Sequence, residues 1–194
     1  MNNKHYELTD DTLENSERIL RRIRATRDIP EHGVKQGDIG GFVESYDNLS
    51  DNAWVYTDAK VFGDAQVFDD ALVCGNAQVF GNARVYGHAQ VCGRAALFGH
   101  AEVFGRADVL GDAQIGGDAV LESIEDYIVF KNFWSSGRYF TWTRSNNMWR
   151  VGCFYGTGEE LIKNAYKDSE KSGKLYEYAV NSVNEMNKLL KEGE

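Results

Sequence analysis

A mainly β chain built around a parallel β-solenoid is what this sequence of 194 residues predicts, and three observations predict it. From Asn52 to Leu121 the chain is written in sixes, beginning NAWVYT, DAKVFG, DAQVFD and continuing without interruption. Ala stands at 53, 59, 65, 71, 77, 83, 89, 95, 101, 107, 113 and 119, and two residues after each Ala comes an aliphatic residue, from Val55 to Leu121. Gly follows most of these aliphatic positions at i+2, at 63, 75, 81, 87, 93, 99, 105, 111 and 117. A hexapeptide period of this kind is the mark of a parallel β-helix.

Each position of the hexad has a physical reason. Side chains alternate sides along a strand, so in DAQVFG the Ala and Val share the inner side while Gln and Phe share the outer one. Ala is small because three strands meet around a narrow interior, and the branched Val fills what Ala leaves. Gly tolerates the positive φ or the crowding of a tight corner. The Asp or Asn that follows hydrogen-bonds nearby backbone in the same bend. Three hexads close a coil of 18 residues, so twelve hexads give four coils, and weaker repeats through Val43 and Leu49 extend the count toward five.

The segments on either side are less regular. In Tyr6–Pro30, Leu13, Ile19, Leu20 and Ile23 fit a helical face with Glu14–Arg18 and Glu17–Arg21 as i,i+4 pairs, while Ile19, Arg21 and Ile23 alternate as in a strand; both readings stand. Arg18, Arg21, Arg22, Arg24 and Arg27 make this the basic patch of an acidic chain: either an anion site, with Arg18, Arg21, Arg22 and Arg24 as its candidates, or a solvated face balancing nearby carboxylates. Glu31–Ser50, with Gly33, Gly37, Gly40 and Gly41, reads as a first irregular coil that caps the stack. After Leu121 the sixes stop. Tyr127–Val129, Tyr139–Thr143 and Met148–Phe154 read as three short strands. Thr157 and Glu160 form a capping-box pattern for a helix over Gly158–Asp168, Gly173 is expected to break it, and Tyr176, Val180, Val183, Met186, Leu189 and Leu190 mark a second helix. The expected division is an N-terminal segment 1–33, a solenoid 34–122 and a small α+β domain 123–194 that caps the solenoid's open end.

The run of an aliphatic residue, then Ala four positions on, resembles the hexapeptide-repeat left-handed β-helix family, whose best known members are bacterial sugar and lipid acyltransferases. The resemblance implies left-handed coiling, which spacing alone does not give. Over nearly the whole chain, KQGDIGGFVES, NLSDNAWVYTDAKVFGDA and the later WRVGCFYGTGEEL are similar to uncharacterised hexapeptide-repeat proteins of phages and prophages in low-GC bacteria. That second resemblance implies a genomic setting and, through it, a host cytosol.

Composition narrows the function. The net charge of −9 disfavours direct nucleic-acid binding and suits a partner with a basic surface. No apolar run approaches a membrane span, and MNNKHYELTDDTLENS lacks a signal-peptide core. The odd count of Cys74, Cys92 and Cys153 favours a reducing cytoplasm; Cys74 and Cys92, one coil apart, are within reach of a disulfide but are expected as thiols. No phosphate-cradling loop or calcium repeat is present, so no cofactor or metal is expected.

An acyltransferase needs a general base, and His88 and His100, both at corners, are the candidates. Their corner columns hold Asn52, Asp70 and Arg106 for His88, and Asp64, Asn82 and Asp118 for His100, which is the variety of a solvated corner. No long loop interrupts the hexads to build a substrate pocket. The outward positions are more distinctive: Phe62, Phe80 and Phe98 form one ladder, Phe68, Tyr86 and Phe104 a second, and Trp54 and Tyr56 begin a third. Exposed together, these stripes exceed what a monomer tolerates, so the terminal segments are expected to cover one face and a second subunit another. The expectation is a non-catalytic oligomeric binding protein acting on a host protein, for instance an inhibitor of an antiviral defence component, or on a signalling nucleotide. A CoA-dependent acyltransferase and a structural assembly protein are the alternatives.

Overall fold

The structure is a computed structural model that describes residues 4–134 and 136–192. It divides into two compact units, one ending at Ile124 and the other starting at Glu125.

In the first unit every hexad supplies a two-residue rung, from Trp54–Val55 to Val120–Leu121. Rungs one coil apart pair parallel and in register, as Lys60–Val61 does with Gln78–Val79. Two sheets hold four rungs each, and the third joins four rungs to three N-terminal strands. The result is a parallel β-solenoid of four regular coils, preceded by an irregular one. The inner Ala and aliphatic residues are buried, Ala53 to Leu121 at 0–1% exposure. The corner residue after each outer position has positive φ all along the run, from 52° at Thr57 to 78° at Gly93. Gly also serves close approach there. A methyl group on Gly93 would lie 3.0 Å from both N and O of Gly111 in the next coil, whereas one on Gly111 would meet nothing within 4 Å.

The N-terminal segment is strand, not helix. β1 (Tyr6–Asn15) and β2 (Arg18–Ala25) form an antiparallel hairpin. β2 pairs antiparallel with β3 (Ile39–Val43), which in turn pairs parallel with Lys60–Val61 and so joins hairpin to solenoid. A register shift between Arg22 and Arg24 explains the ambiguous pattern, since it buries Leu20, Ile23 and Ala25 while leaving Ile19 61% exposed. β3 and the bridge from Leu49 to Val67 form the irregular first coil. Gly40 and Gly41 cross tightly over the coil below: a methyl group on Gly40 would come within 2.6 Å of Val55 O and 2.8 Å of Trp54 Cζ2.

Asn48, which the hexad pattern does not reveal, finishes this edge. Within the regular stack, the corner carbonyls Gly99 O and Gly117 O accept from Asn82 N and His100 N of the preceding coil. The corner at Gly63 lacks a regular coil before it, and the side chain of Asn48 substitutes for the missing backbone. Its Nδ2 donates to Gly63 O and Ala65 O, both at 2.9 Å, while its Oδ1 accepts from Glu44 N at 3.1 Å and Ser45 N at 2.9 Å. Gly63 N donates to Glu44 Oε2 at 2.7 Å.

Two expectations about cysteine fail together. Cys74 and Cys92 are joined in a disulfide, with Cα atoms 4.6 Å apart, and are not free thiols. In-register stacking puts equivalent outer residues of successive coils at strand spacing, so the pairing follows from the repeat. The bridge closes a short loop, worth about 3 kcal/mol on a chain-entropy argument. Only Cys153 is free, and cysteine usage no longer argues for a reducing compartment.

Among the described residues, the second unit holds four antiparallel strands in chain order rather than three. Tyr139–Thr143 is as expected and Tyr127–Lys131 runs two residues past the expected Tyr127–Val129, but Met148–Phe154 turns at Gly152, φ 59°, into Met148–Val151 and Phe154–Gly156. α1 (Gly158–Asp168) starts from the Thr157–Glu160 capping box that the sequence indicates. It ends at Ser169, which caps α2 (Glu170–Lys191) with its own side chain. Gly173 therefore lies inside α2 and does not break a helix. It is small because a methyl group there would sit 2.3 Å from the Tyr166 ring of α1. Phe140, Trp142 and Trp149 from the sheet bury Leu161, Val180 and Val183 from the helices. Among the described residues no helix is long and apolar enough to cross a membrane.

Two stability predictions arise here. Gly111→Ala, which incurs only the positive-φ penalty, should cost about 1 kcal/mol, and Gly93→Ala roughly 2–3 kcal/mol because it adds overpacking, as denaturant midpoints will show. Asn48→Ala should cost about 3 kcal/mol by orphaning buried backbone groups, and Asn48→Asp should rescue little because it removes both donors.

Candidate functional site

The corner column that contains His88 is a chain of polar contacts. Arg27 Nη2 donates to Asn52 Oδ1 at 2.7 Å, Asn52 Nδ2 donates to Asp70 Oδ1 at 3.0 Å, and His88 Nδ1 lies 3.7 Å from Asp70 Oδ2. The His88 side chain is 66% exposed. His100 is also exposed on its own corner column. The corner spacing does not bring the two imidazoles together, and neither lines any of the cavities described below. A general base needs a substrate held against it, and these corners are convex. Among the described residues, no group of three or more His, Cys, Asp or Glu is placed to hold a metal ion.

The arginine cluster is spread along β2, and three of its four members meet carboxylates. Arg18 Nη1 contacts Glu44 Oε1 and Oε2 at 2.8 and 2.7 Å. Arg22 contacts Asp11 at 2.7 Å, donates to Gly40 O and Thr57 O, and lies 4.2 Å over the Phe42 ring. Arg24 reaches Glu7 at 3.2 Å. Arg21 is exposed. Arg22 thus fastens β1, β2, β3 and the corner at Thr57 to one another. Exposed pairs of this sort add little stability, so the multidentate Arg22 matters most among them.

Trp54 and Tyr56 behave differently from the interface they were expected to form. Trp54 is fully buried, with His5 at 6.3 Å and Tyr56 at 6.5 Å between ring centroids. Tyr56 Oη donates to His32 O. The N-terminal segment covers this part of the face, so Trp54 is core. His5 Nε2 lies 2.8 Å from Ala53 O, which the tautomer protonated at Nε2 satisfies as a donor. Burial lowers the His5 pKa below 6.5, outweighing that hydrogen bond, and burial likewise lowers His32 against the pull of Asp70 and Glu31.

The other two ladders are built as the hexads indicate. Phe62, Phe80 and Phe98 stack at 5.1 and 5.6 Å. The ladder ends on Gly116, where a methyl group would come within 2.2 Å of the Phe98 ring. Phe68, Tyr86 and Phe104 stack at 4.9 and 5.1 Å. All six rings remain half-buried. Polar groups edge the second ladder: Arg84 Cζ sits 5.3 Å from the Phe68 ring centre and its guanidinium 3.5 Å from Glu102, while Tyr86 Oη donates to Glu102 Oε2 at 3.3 Å. Burial, with Glu102 beside it, raises the Tyr86 pKa. The hairpin tip meets the first ladder at a cavity of about 480 Å³ lined by Ser16, Arg18, Phe62, Gln78 and Phe80.

Unfolded His5 and His32 titrate near 6.5, and their folded pKa values lie lower, so unfolding takes up protons as pH falls below about 6.5. Stability should be full above that value and decline below it until the folded pKa values are passed. The urea midpoint at pH 5.5 should fall below that at pH 7.5, and His5→Gln should flatten the slope.

A family model described as a YdcK beta solenoid repeat matches residues 77–93, a stretch within the second and third regular coils. None of the curated proteins compared matches the chain. Together with the parallel stacking of its rungs, the match identifies the chain as a β-solenoid repeat protein.

Proposed function

We propose that this is a non-catalytic, oligomeric binding protein that uses the ladders Phe62–Phe80–Phe98 and Phe68–Tyr86–Phe104 as its contact surface. The observation that carries this reading is that two aromatic stacks run along the solenoid with no ring fully buried. Stacking within a ladder contributes roughly 0.2–1 kcal/mol per pair, which accounts for the rings touching but not for leaving them open to water. The buried Trp54 offers the contrast, since the chain covers that ring itself. Large aromatics at fixed spacing lose little side-chain entropy on binding, and Arg84 with Glu102 supplies polar contacts beside them.

The partner of choice is a second copy through one ladder and a basic host protein through the other, in keeping with the net charge of −9. The resemblance to phage and prophage proteins supports reading that host protein as an antiviral defence component in a host cytosol. Sequestering a signalling nucleotide is less favoured, because Arg18, Arg22 and Arg24 already meet carboxylates. The acyltransferase alternative draws support from the first resemblance alone.

Light scattering should show a concentration-dependent oligomer that Phe80→Asp or Tyr86→Asp converts to a folded monomer. A wild-type monomer at every concentration sinks the oligomer reading. Incubation with acetyl-CoA and amine acceptors should release no free CoA. Release abolished by His88→Ala or His100→Ala would establish the enzyme instead.

A further inference from the structure

Helix α2 carries two apolar faces, and the second unit uses one of them. Tyr176, Val180 and Val183 turn toward the sheet, where Val180 and Val183 are buried and Tyr176 packs beside them. α1 takes a second side of α2, its Tyr166 ring lying against Gly173 and its Tyr166 Oη donating to Glu177 at 2.8 Å. On helical geometry a third side remains, and it is the one that carries Leu175, Ala179, Ser182, Met186 and Leu189. None of the five is buried. Leu189 is 68% exposed and Met186 44%, and the exposed Tyr178 and Leu190 widen the apolar surface on its two flanks.

The spacing of these residues specifies what covers them. Steps of four, three, four and three residues have the 3.5-residue period of a seam that a second helix follows. Ser182 satisfies its own hydroxyl by donating to Tyr178 O at 2.7 Å, so its place in the seam leaves no polar group unmet. The seam is also complementary to itself. Laid antiparallel on a second copy with the helix ends level, Leu175 of each chain meets Met186 of the other, Ala179 meets Ser182, and Ser172 meets Leu189. Large side chains thus meet near the ends and small ones at the middle, where the two backbones come closest. Charge selects the same direction. An antiparallel pair sets Lys171 of one copy beside Glu192 of the other at each end, whereas a parallel pair would set like charges together. Antiparallel helix dipoles add to that preference. Lys171, Lys174 and Lys188 are balanced by Glu170, Glu177 and Glu185 around the helix, which gives an anionic lipid surface no hold.

We propose that α2 pairs antiparallel with α2 of a second copy of this chain through Leu175, Ala179, Ser182, Met186 and Leu189. The contact is independent of the aromatic ladders. One helix face is small beside the ~800 Å² per partner of a standard interface, so the pairing is weak, with a Kd on the order of 100 µM, and well below that concentration the ladders alone set the oligomeric state. The test is sedimentation equilibrium of the full chain carrying Phe80→Asp and Tyr86→Asp, which takes the ladders out of the measurement, from about 10 µM to about 1 mM. A monomer–dimer equilibrium is expected. Leu189→Glu or Met186→Glu, both at exposed helix positions, should weaken it by about tenfold or more and leave the helical circular dichroism unchanged. Direction is read by oxidative cross-linking with native ladders and Cys153→Ser. A mixture of Leu175→Cys and Met186→Cys chains should form heterodimers, and neither variant should cross-link to itself. Cross-linking decides the matter if the ladder-substituted chain fails to fold. A monomer up to about 1 mM, a dimer indifferent to Leu189→Glu and Met186→Glu, or self-cross-linking of Leu175→Cys in preference to the mixture overturns the proposal.

Discussion

Parallel stacking of successive coils in register is the constraint from which the rest of the first unit follows. Once each rung lies directly over the one 18 residues before it, equivalent side chains sit about 4.8 Å apart whether or not they have reason to meet. Inside, that favours Ala and Val, which tile a narrow prism without a gap. At the corners, it demands a positive φ at each bend and, at Gly93, would leave a methyl group only 3.0 Å from the backbone of the next coil. Outside, it turns any residue repeated in the hexad into a ladder. The aromatic stacks and the Cys74–Cys92 bridge are two products of the same geometry, one by stacking and the other by bond formation.

A stack also has a first coil, and its edge is where irregular sequence becomes necessary. Backbone groups facing away from the stack there have no rung to meet, and unpaired strand edges invite association. The chain answers with three different devices. β2 and β3 continue one sheet past the last regular rung, but antiparallel to each other, which ends the repeat. Asn48 and Glu44 complete the Gly63 corner with side chains. Arg22 ties the added strands to the corner at Thr57 through backbone carbonyls and the Phe42 ring. None of these devices is periodic, because each compensates for the period coming to an end.

That difference explains how much of the molecule was legible beforehand. The solenoid was legible because twelve repetitions of Ala and an aliphatic residue leave no other period to fit, and the α1 cap because Thr157 and Glu160 carry their own geometry. Residues 6–30 were not. The register shift in β2 spaces Leu20 and Ile23 three apart, which imitates a helical face, while the exposed Ile19 imitates a strand of the opposite phase. Gly173 misled for a related reason: glycine ends helices through its backbone freedom, but here it serves through its lack of bulk against Tyr166. Trp54 reads as an outward ladder residue, correctly, and is buried only because a distant segment folds over it.

The same constraint bears on function through the corners. A catalytic residue depends on surroundings that differ from those of its chemical relatives elsewhere on the molecule, and a strict repeat gives every corner nearly the same surroundings. His88 has Asp70 beneath it, yet the position one coil earlier holds Asp70 itself and the one before that Asn52, with the chain geometry unchanged. A site that accepts Asn, Asp, His and Arg in succession without local distortion imposes no demand on any of them. The outer ladders are the opposite case. There the aromatic character of the side chain is kept through three coils on two faces, Arg84 and Glu102 are paired beside one of them, and Gly116 is cut back to receive the last ring. On the proposed reading, a rigid row of aromatics at strand spacing acts as a ruler against a partner's surface.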